Sequence, residues 1–110
     1  MVENMIKSTT DRSLSILVNT DQHFDYVKAL SRAAHAKGKK VYLYFSGKGV
    51  LLTQDQGFGH LKEVAHIAVC ENSCRAQNID AELFKSYFDF LAGPQYLATL
   101  LKKCDRNLVF

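Results

Sequence analysis

Two short apolar runs separated by one helical pattern restrict the fold of this chain more than any other feature of its sequence. Leu14 to Asn19 (LSILVN) and Val41 to Phe45 (VYLYF) have the length and the β-branched or aromatic composition of buried strands. Between them apolar residues recur at helical spacing, at Phe24, Val27, Leu30 and Ala34. A strand, a helix and a second strand in this order form a βαβ unit, whose crossover is right-handed and whose strands are parallel.

The residues around this helix indicate where it begins and ends. Thr20 or Asp21 can cap its amino end with a side-chain oxygen. Lys37 places a positive charge in the last turn, and Gly38 can adopt the left-handed conformation that ends many helices. We therefore expect the helix to stop just before the second strand.

Strand and helix patterns alternate along the rest of the chain. A glycine-containing loop with a short helical or extended insert is expected over 46–59, with a brief helix over 58–64. The later predicted elements are a strand at 66–69, a helix at 71–77, a helix capped by Asp80, a helix after Pro94 and a strand at 107–110. The sequence thus predicts a single three-layer α/β/α domain around a mostly parallel sheet of four or five strands, flavodoxin-like in character. We expect this domain to span 13–110, after a flexible N-terminal arm at 1–12.

Composition excludes several classes of protein. A chain of 110 residues, 47% of them hydrophobic, suits one globular domain. No apolar run reaches the roughly 18 residues of a membrane span, and the first residues lack the apolar core of a signal peptide. Three cysteines are too few for a disulfide scaffold, which favours a reducing, cytoplasmic location. The net charge of +3 is mild and its main lysine cluster, at 37–40, is typical of a solvated helix end, so nucleic acid is not expected as a partner.

The loops that follow the first three predicted strands should lie side by side. Ligands of open parallel sheets bind beyond the carboxyl ends of the strands. That rule brings together the segments 19–23, 46–50 and 70–74. The residues expected to support a site there are Asn19, His23, Gly47, Lys48, Gly49, Asn72 and Arg75.

The segment VCENSC, from Val69 to Cys74, contains the most reactive group of this predicted edge. Cys70 ends a strand and begins a helix, where unpaired backbone amides favour a thiolate over a thiol. Arg75 adds a positive charge and Glu71 opposes it, and we expect a lowered pKa for Cys70. Cys74 lies one helical turn further on, and the spacing leaves a disulfide, a reactive thiol and a buried pair open.

Other chemistries find little support in the sequence. A metal site needs three or four converging ligands, and spacing offers only the two cysteines with His23 or His66, so we predict neither metal nor cofactor. The run SGKGV lacks the full phosphate-loop motif, and the nucleophile motif of serine hydrolases is missing. We interpret Cys104, near the end of the last helix, as structural.

Three segments together resemble the DsrE/DsrF-like family of small sulfur-trafficking proteins: KKVYLYFSGKGVLL, HIAVCENSCRAQNID and LATLLKKCDRNLVF. The order and spacing cover 14–110. In that family a strand runs into a glycine-containing loop, here Gly49-Val50, and a later strand ends in a cysteine, here Cys70. Asn78 stands where the family usually has glycine, but asparagine also accepts the left-handed conformation.

The resemblance implies that Cys70 carries sulfane sulfur as a persulfide and passes it between the thiols of donor and acceptor proteins. Such exchange needs a nucleophilic thiolate. It also implies a homo-oligomer or an assembly with related subunits. The apolar stretch SYFDFLAG, at 86–93, is larger than a small helix can easily bury, and it could form either part of the core or an interface. Whether the protein is an enzyme is left open.

Two other interpretations of the sequence stand beside this one. The chain could be a non-catalytic module of the same fold, in which the sheet edge binds a ligand or a subunit and Cys70 is inert. It could also be a thiol-disulfide redox protein, with Cys74 as the resolving or secondary thiol.

Overall fold

A computed structural model describes residues 12–110 of the chain, so that the predicted arm at 1–12 falls outside the described residues except for Arg12. Within these residues five strands form one sheet: β1 (Ser13–Val18), β2 (Lys40–Phe45), β3 (His66–Cys70), β4 (Phe90–Ala92) and β5 (Arg106–Val109). Every strand pair is parallel, and the strand order is β4-β3-β2-β1-β5. The predicted α/β domain with a parallel sheet is confirmed.

In the described part of the chain, three α-helices and three 3₁₀ helices connect the strands. The α-helices are α1 (Phe24–Ala36), α2 (Glu71–Ala76) and α3 (Gln95–Lys103). The 3₁₀ helices span Gly47–Gln54, Phe58–Glu63 and Ala81–Tyr87. The glycine-containing loop after β2 is therefore mostly helical, and it is wound tightly enough to bring Val50 and Leu52 into the core.

Several predicted boundaries are wrong in detail. Neither Thr20 nor Asp21 caps α1: His23 occupies the cap position and makes no side-chain capping bond. The helix expected after Asp80 is a 3₁₀ helix, although Asp80 does accept a hydrogen bond from the Glu82 amide, at 3.1 Å. The strand β4 was not predicted, because three residues are too short a run to show alternation.

Two left-handed residues end their helices as expected. Gly38 follows α1 with a φ of 82°. Asn78 follows α2 with a φ of 59°, and the Ile79 amide then donates to the Cys74 carbonyl at 2.8 Å. Both arrangements supply hydrogen bonds to carbonyl groups at the carboxyl ends of these helices.

The two faces of the sheet are covered very differently. The first face, which includes Ile16, Leu43 and Ile67, packs against α1 and the 3₁₀ helices. The second face, which includes Tyr44 and Cys70, packs against residues of α3 such as Leu100. The crossovers from β1 to β4 all step in one direction and so lie on one face, whereas the connection from β4 to β5 steps back across the sheet and lies on the other.

Candidate functional site

Cys70 lies at the carboxyl end of a central strand. It is the last residue of β3 and the cap residue of α2, between β2 on one side and β4 on the other. Cys70 is 6% exposed as a residue, and it packs with Tyr44 and Ala92 on the second face of the sheet. The predicted position of this cysteine is confirmed.

The surroundings of Cys70 favour its thiolate. Burial alone would raise the pKa of Cys70. Hydrogen bonds from the hydroxyl and amide of Ser73, from the Tyr44 hydroxyl and from the Asn72 amide together outweigh burial and lower the pKa below its usual value. The lowered pKa therefore comes from individual donors that face the sulfur, with burial opposing them.

Ser73 is held in place by the loop that follows β2. The Gly47 amide donates to the Ser73 hydroxyl oxygen at 2.8 Å, which leaves the hydroxyl proton available to the Cys70 sulfur. A chain of donors thus runs from the backbone at Gly47 through Ser73 to the thiol.

The glycines of this loop allow its close approach to the end of β1. Gly47 has a φ of 53°, and a β-carbon there would overlap the Asn19 side chain. Gly49 is buried, and a β-carbon there would overlap the Val18 carbonyl oxygen. Asn19 also accepts a hydrogen bond from the Ser46 hydroxyl at 3.2 Å. Three of the predicted residues, Asn19, Gly47 and Gly49, therefore shape the loop that lies beside α2.

The other predicted residues are placed differently. Arg75 makes a 3.4 Å ion pair with Glu71 and a hydrogen bond to the Asn72 side chain, so its charge is directed toward these two residues. His23 lies at the start of α1, with its ring 6.3 Å from that of Phe110. Lys48 is exposed in the loop. The structure does not assign these three residues a contact with the Cys70 sulfur.

Two residues that influence the pKa of Cys70, Tyr44 and Ser73, were not predicted from the sequence. Ser73 is three positions after Cys70, a spacing that brings a helix side chain back toward the cap residue and could have indicated it. Tyr44 could be connected with Cys70 only through the register of β2 and β3, in which Tyr44 pairs with Ala68. Sequence alone does not give that register.

All three cysteines are free and buried, but they differ in acidity. Cys74 is 2% exposed and packs in the core of the first face, whereas Cys70 packs on the second. Burial raises the pKa of Cys74, and the negative charges of Cys70 and Glu71 raise it further. Burial likewise raises the pKa of Cys104. The structure thus separates one acidic thiol from two that are kept protonated.

The described residues were also compared with what metal binding and membrane crossing require. In residues 12–110, no three His, Cys, Asp or Glu side chains converge closely enough to hold a metal ion. Within the same residues, no helix combines the length and the apolar character that crossing a membrane requires.

Two solved structures share the fold of this chain. A conserved protein of unknown function from Bacteroides thetaiotaomicron is 16% identical and superposes with a TM-score of 0.74, over 93% of this chain and 97% of that one. A protein of unknown function from Methanobacterium thermoautotrophicum is 11% identical, with a TM-score of 0.68 over 88% and 98% of the two chains. No family model and no curated protein matches the sequence. These similarities establish the compact α/β fold.

Proposed function

We propose that this protein is a cytoplasmic sulfur-relay protein of the DsrE/DsrF-like type, which carries sulfane sulfur as a persulfide on Cys70. The observation that carries the proposal is the arrangement of Tyr44, Asn72 and Ser73, whose hydrogen bonds lower the pKa of a thiol at the carboxyl edge of the sheet. A thiolate is the species that attacks sulfur, so this arrangement prepares Cys70 for exchange.

The transfer needs no oxidant or reductant beyond the donor. The Cys70 thiolate attacks the outer sulfur of a donor persulfide, forming a new S–S bond while the donor's S–S bond breaks. The electron pair of the broken bond leaves on the donor as a thiolate, and the proton of the donor persulfide stays with the transferred sulfur. An acceptor thiolate then attacks the same sulfur, and Cys70 leaves as a thiolate.

The mass of the intact protein after incubation with a persulfide donor tests this proposal. We expect the reduced wild-type protein to gain the mass of one sulfur atom and to lose it again when an acceptor thiol is added. Cys70→Ser should gain nothing. Cys74→Ser and Cys104→Ser are the matched controls and should load like the wild type, because both thiols are buried with raised pKa values.

A second candidate function, that of a non-catalytic assembly module, has its own observation. The side chain of Cys70 is only 6% exposed, and an inert buried cysteine would look the same by exposure alone. If Cys70 of the folded protein resists both persulfide loading and alkylation, the relay proposal is wrong and the assembly module stands.

The thiol-disulfide interpretation has less support. Cys70 and Cys74 pack on opposite faces of the sheet, and the raised pKa of Cys74 disfavours the attack that a resolving thiol must make. Loss of two protons on mild oxidation, abolished in Cys74→Ser, would nevertheless establish this interpretation in place of the relay.

We also propose that copies of this chain, or related subunits, assemble through the β4 edge of the sheet. Phe90 and Leu91 on β4 are 42% and 38% exposed, and Tyr87, which ends the preceding 3₁₀ helix, is 41% exposed. Among residues 12–110, no strand pairs with the outer side of β4. Exposed apolar side chains on an open edge favour association. Sedimentation of the reduced protein at increasing concentration tests for this assembly.

A further inference from the structure

The side chain of Tyr44 crosses a neighbouring strand at the level of Cys70. Tyr44 belongs to β2, yet its hydroxyl donates a 3.1 Å hydrogen bond to the carbonyl of Gly93, which directly follows β4. The strand β3 lies between them, and its last residue, Cys70, pairs with Ala92 beside Gly93. The phenol must therefore pass over the end of β3, where the Cys70 sulfur lies on the same face of the sheet.

The ring of Tyr44 is fixed, but its hydroxyl has two acceptors within reach. Tyr44 is 2% exposed, and the ring of Tyr96 packs edge-on against it with centroids 5.6 Å apart. Besides the Gly93 carbonyl, the hydroxyl can donate to the Cys70 sulfur. A phenol has only one proton to donate, so the two acceptors compete for it.

The charge on sulfur decides this competition. A neutral thiol is a weak acceptor, so the carbonyl of Gly93 holds the proton while Cys70 is protonated. A thiolate accepts a charge-assisted hydrogen bond, which is stronger than a bond to a neutral carbonyl. Only the C–O torsion of the phenol has to change between the two states.

We propose that Tyr44 is a positioning residue whose hydroxyl turns from the Gly93 carbonyl to the Cys70 sulfur whenever that sulfur becomes an anion. The inference deepens the proposed sulfur relay and rests on it for the transfer step. When an acceptor thiolate takes the carried sulfur, the bond between Cys70 and that sulfur breaks and its electron pair stays on Cys70. The hydrogen bond from Tyr44 stabilises this leaving thiolate, and the proton stays on the phenol oxygen.

The phenol is suited to donate without losing its proton. Burial first, and then the hydrogen bond to Cys70 and its charge, raise the pKa of Tyr44 far above its ordinary value. Tyr44 therefore stays a donor throughout the pH range in which Cys70 ionises.

Two titratable groups near Cys70 keep their protons to higher pH than Cys70 does. In α2, burial and then the charges of Cys70 and Glu71 raise the pKa of Cys74, and the Glu71 carboxylate is paired with Arg75. From α3, Tyr96 packs against Tyr44, and burial raises the pKa of Tyr96. A change in reactivity near neutral pH thus reports on Cys70 itself.

The test is the pH profile of Cys70 alkylation by iodoacetamide, followed by mass spectrometry of the Cys70 peptide. We expect Tyr44→Phe to move the profile to higher pH and to slow alkylation at neutral pH by on the order of tenfold, the effect of losing a hydrogen bond to a charged group. Loading from a persulfide donor should slow in parallel. Tyr42→Phe is the matched control, since Tyr42 lies on the same face of β2 and stacks on His66, and it should leave the profile unchanged.

The outcomes separate this inference from the proposed function. A folded Tyr44→Phe protein with the wild-type profile overturns the inference, even if Cys70 carries sulfur. A shifted profile in a protein that accepts no sulfur supports the role of Tyr44 toward the thiolate and contradicts the relay instead.

A measurement on the wild-type fold covers the case in which Tyr44→Phe does not fold. The hydroxyl-bearing ring carbon of Tyr44, observed by NMR in ¹³C-tyrosine-labelled protein, should shift at the pH where Cys70 ionises. The shift should be missing in Cys70→Ser. A Tyr44 chemical shift that does not change when Cys70 ionises would overturn the inference.

Discussion

At the scale of the residue, three cysteines of one chain differ because of the few groups that touch them. Cys70 has several hydrogen-bond donors around its sulfur, and these outweigh the effect of burial on its pKa. Burial is the largest influence on the pKa values of Cys74 and Cys104, and it favours their neutral form. The reactivity of each thiol follows from its neighbours more than from its depth.

This difference predicts a selective reaction with iodoacetamide. The lowered pKa of Cys70 means that its thiolate persists as the pH falls below 9.0, the usual value, whereas Cys74 and Cys104 become thiolates only above it. Peptide mapping of the folded protein at neutral pH should therefore find Cys70 alkylated first. Ser73→Ala should slow that reaction roughly tenfold, because a hydrogen bond to the anion is lost.

The opposite order of reaction would contradict this account of the three pKa values. If Cys74 reacted before Cys70 in a protein whose circular dichroism shows it to be folded, the donors around Cys70 would not be acting as described. Ser86→Ala, in the exposed 3₁₀ helix at 81–87, is a serine control that should not alter the rate.

At the scale of the element, the 3₁₀ helix that follows β2 connects the backbone of the first strand with the candidate site. Its first residue, Gly47, donates to Ser73, and Gly49 lies against the carbonyl of Val18. The spacing between β1, this helix and α2 is set by two positions that have no room for a side chain. The acidity of Cys70 therefore depends on packing outside its immediate contacts.

We predict that Gly49→Ala reduces both stability and the reactivity of Cys70. The new methyl group would overlap the Val18 carbonyl, and overpacking of this kind costs about 1–3 kcal/mol in the free energy of unfolding. Displacing the loop also moves Gly47 away from Ser73, which should slow Cys70 alkylation. Urea unfolding and the alkylation rate measure the two effects.

Gly57→Ala is the matched control for this prediction. Gly57 has a φ of −83°, which any residue adopts, and the nearest atoms to an added β-carbon lie at an ordinary 3.4 Å. It should be neutral or stabilising by up to about 1 kcal/mol. Equal stability of the two variants would mean that the approach of Gly49 to β1 is not required.

At the scale of the whole molecule, both edge strands of the sheet are open among the described residues, and the two differ in character. The β4 edge carries the exposed side chains of Phe90 and Leu91, whereas every residue of β5 is exposed and the strand begins with Arg106. Charged side chains on an edge strand discourage pairing with another chain. Because β4 carries no charged residue, we expect association at its edge.

A lysine at the β4 edge should therefore break the assembly. Leu91→Lys places a charge on the edge and should convert the associated protein to a monomer in sedimentation velocity. Val109→Lys makes the same kind of change on β5, where the valine is 70% exposed, and should leave association unchanged. Dissociation by Val109→Lys alone would assign the interface to the other edge and contradict the proposal.

Apart from the short strand β4, the order of strands and helices was predictable because it depends on local patterns. Buried runs such as 41–45 show their strand character directly, and Gly38 and Asn78 adopt the left-handed conformation that their residue types allow. The location of Cys70 at a junction of strand and helix was predictable for the same reason. The capping of α1 was not predictable. Thr20 and Asp21 satisfy the capping pattern equally well, but the cap residue is His23.

The sequence by itself determined an alternating α/β chain with a cysteine at the end of its third strand, since periodicity and turn residues are local properties. Only the tertiary structure decided that β5 joins the sheet beside β1, so that α3 is the α-helix among residues 12–110 that covers the second face. It also decided that Tyr44, 26 residues before Cys70, lies across the end of β3 on the same face as that cysteine. Strand register and the direction of each crossover depend on contacts between distant segments, and no local pattern encodes which donor will face the thiol.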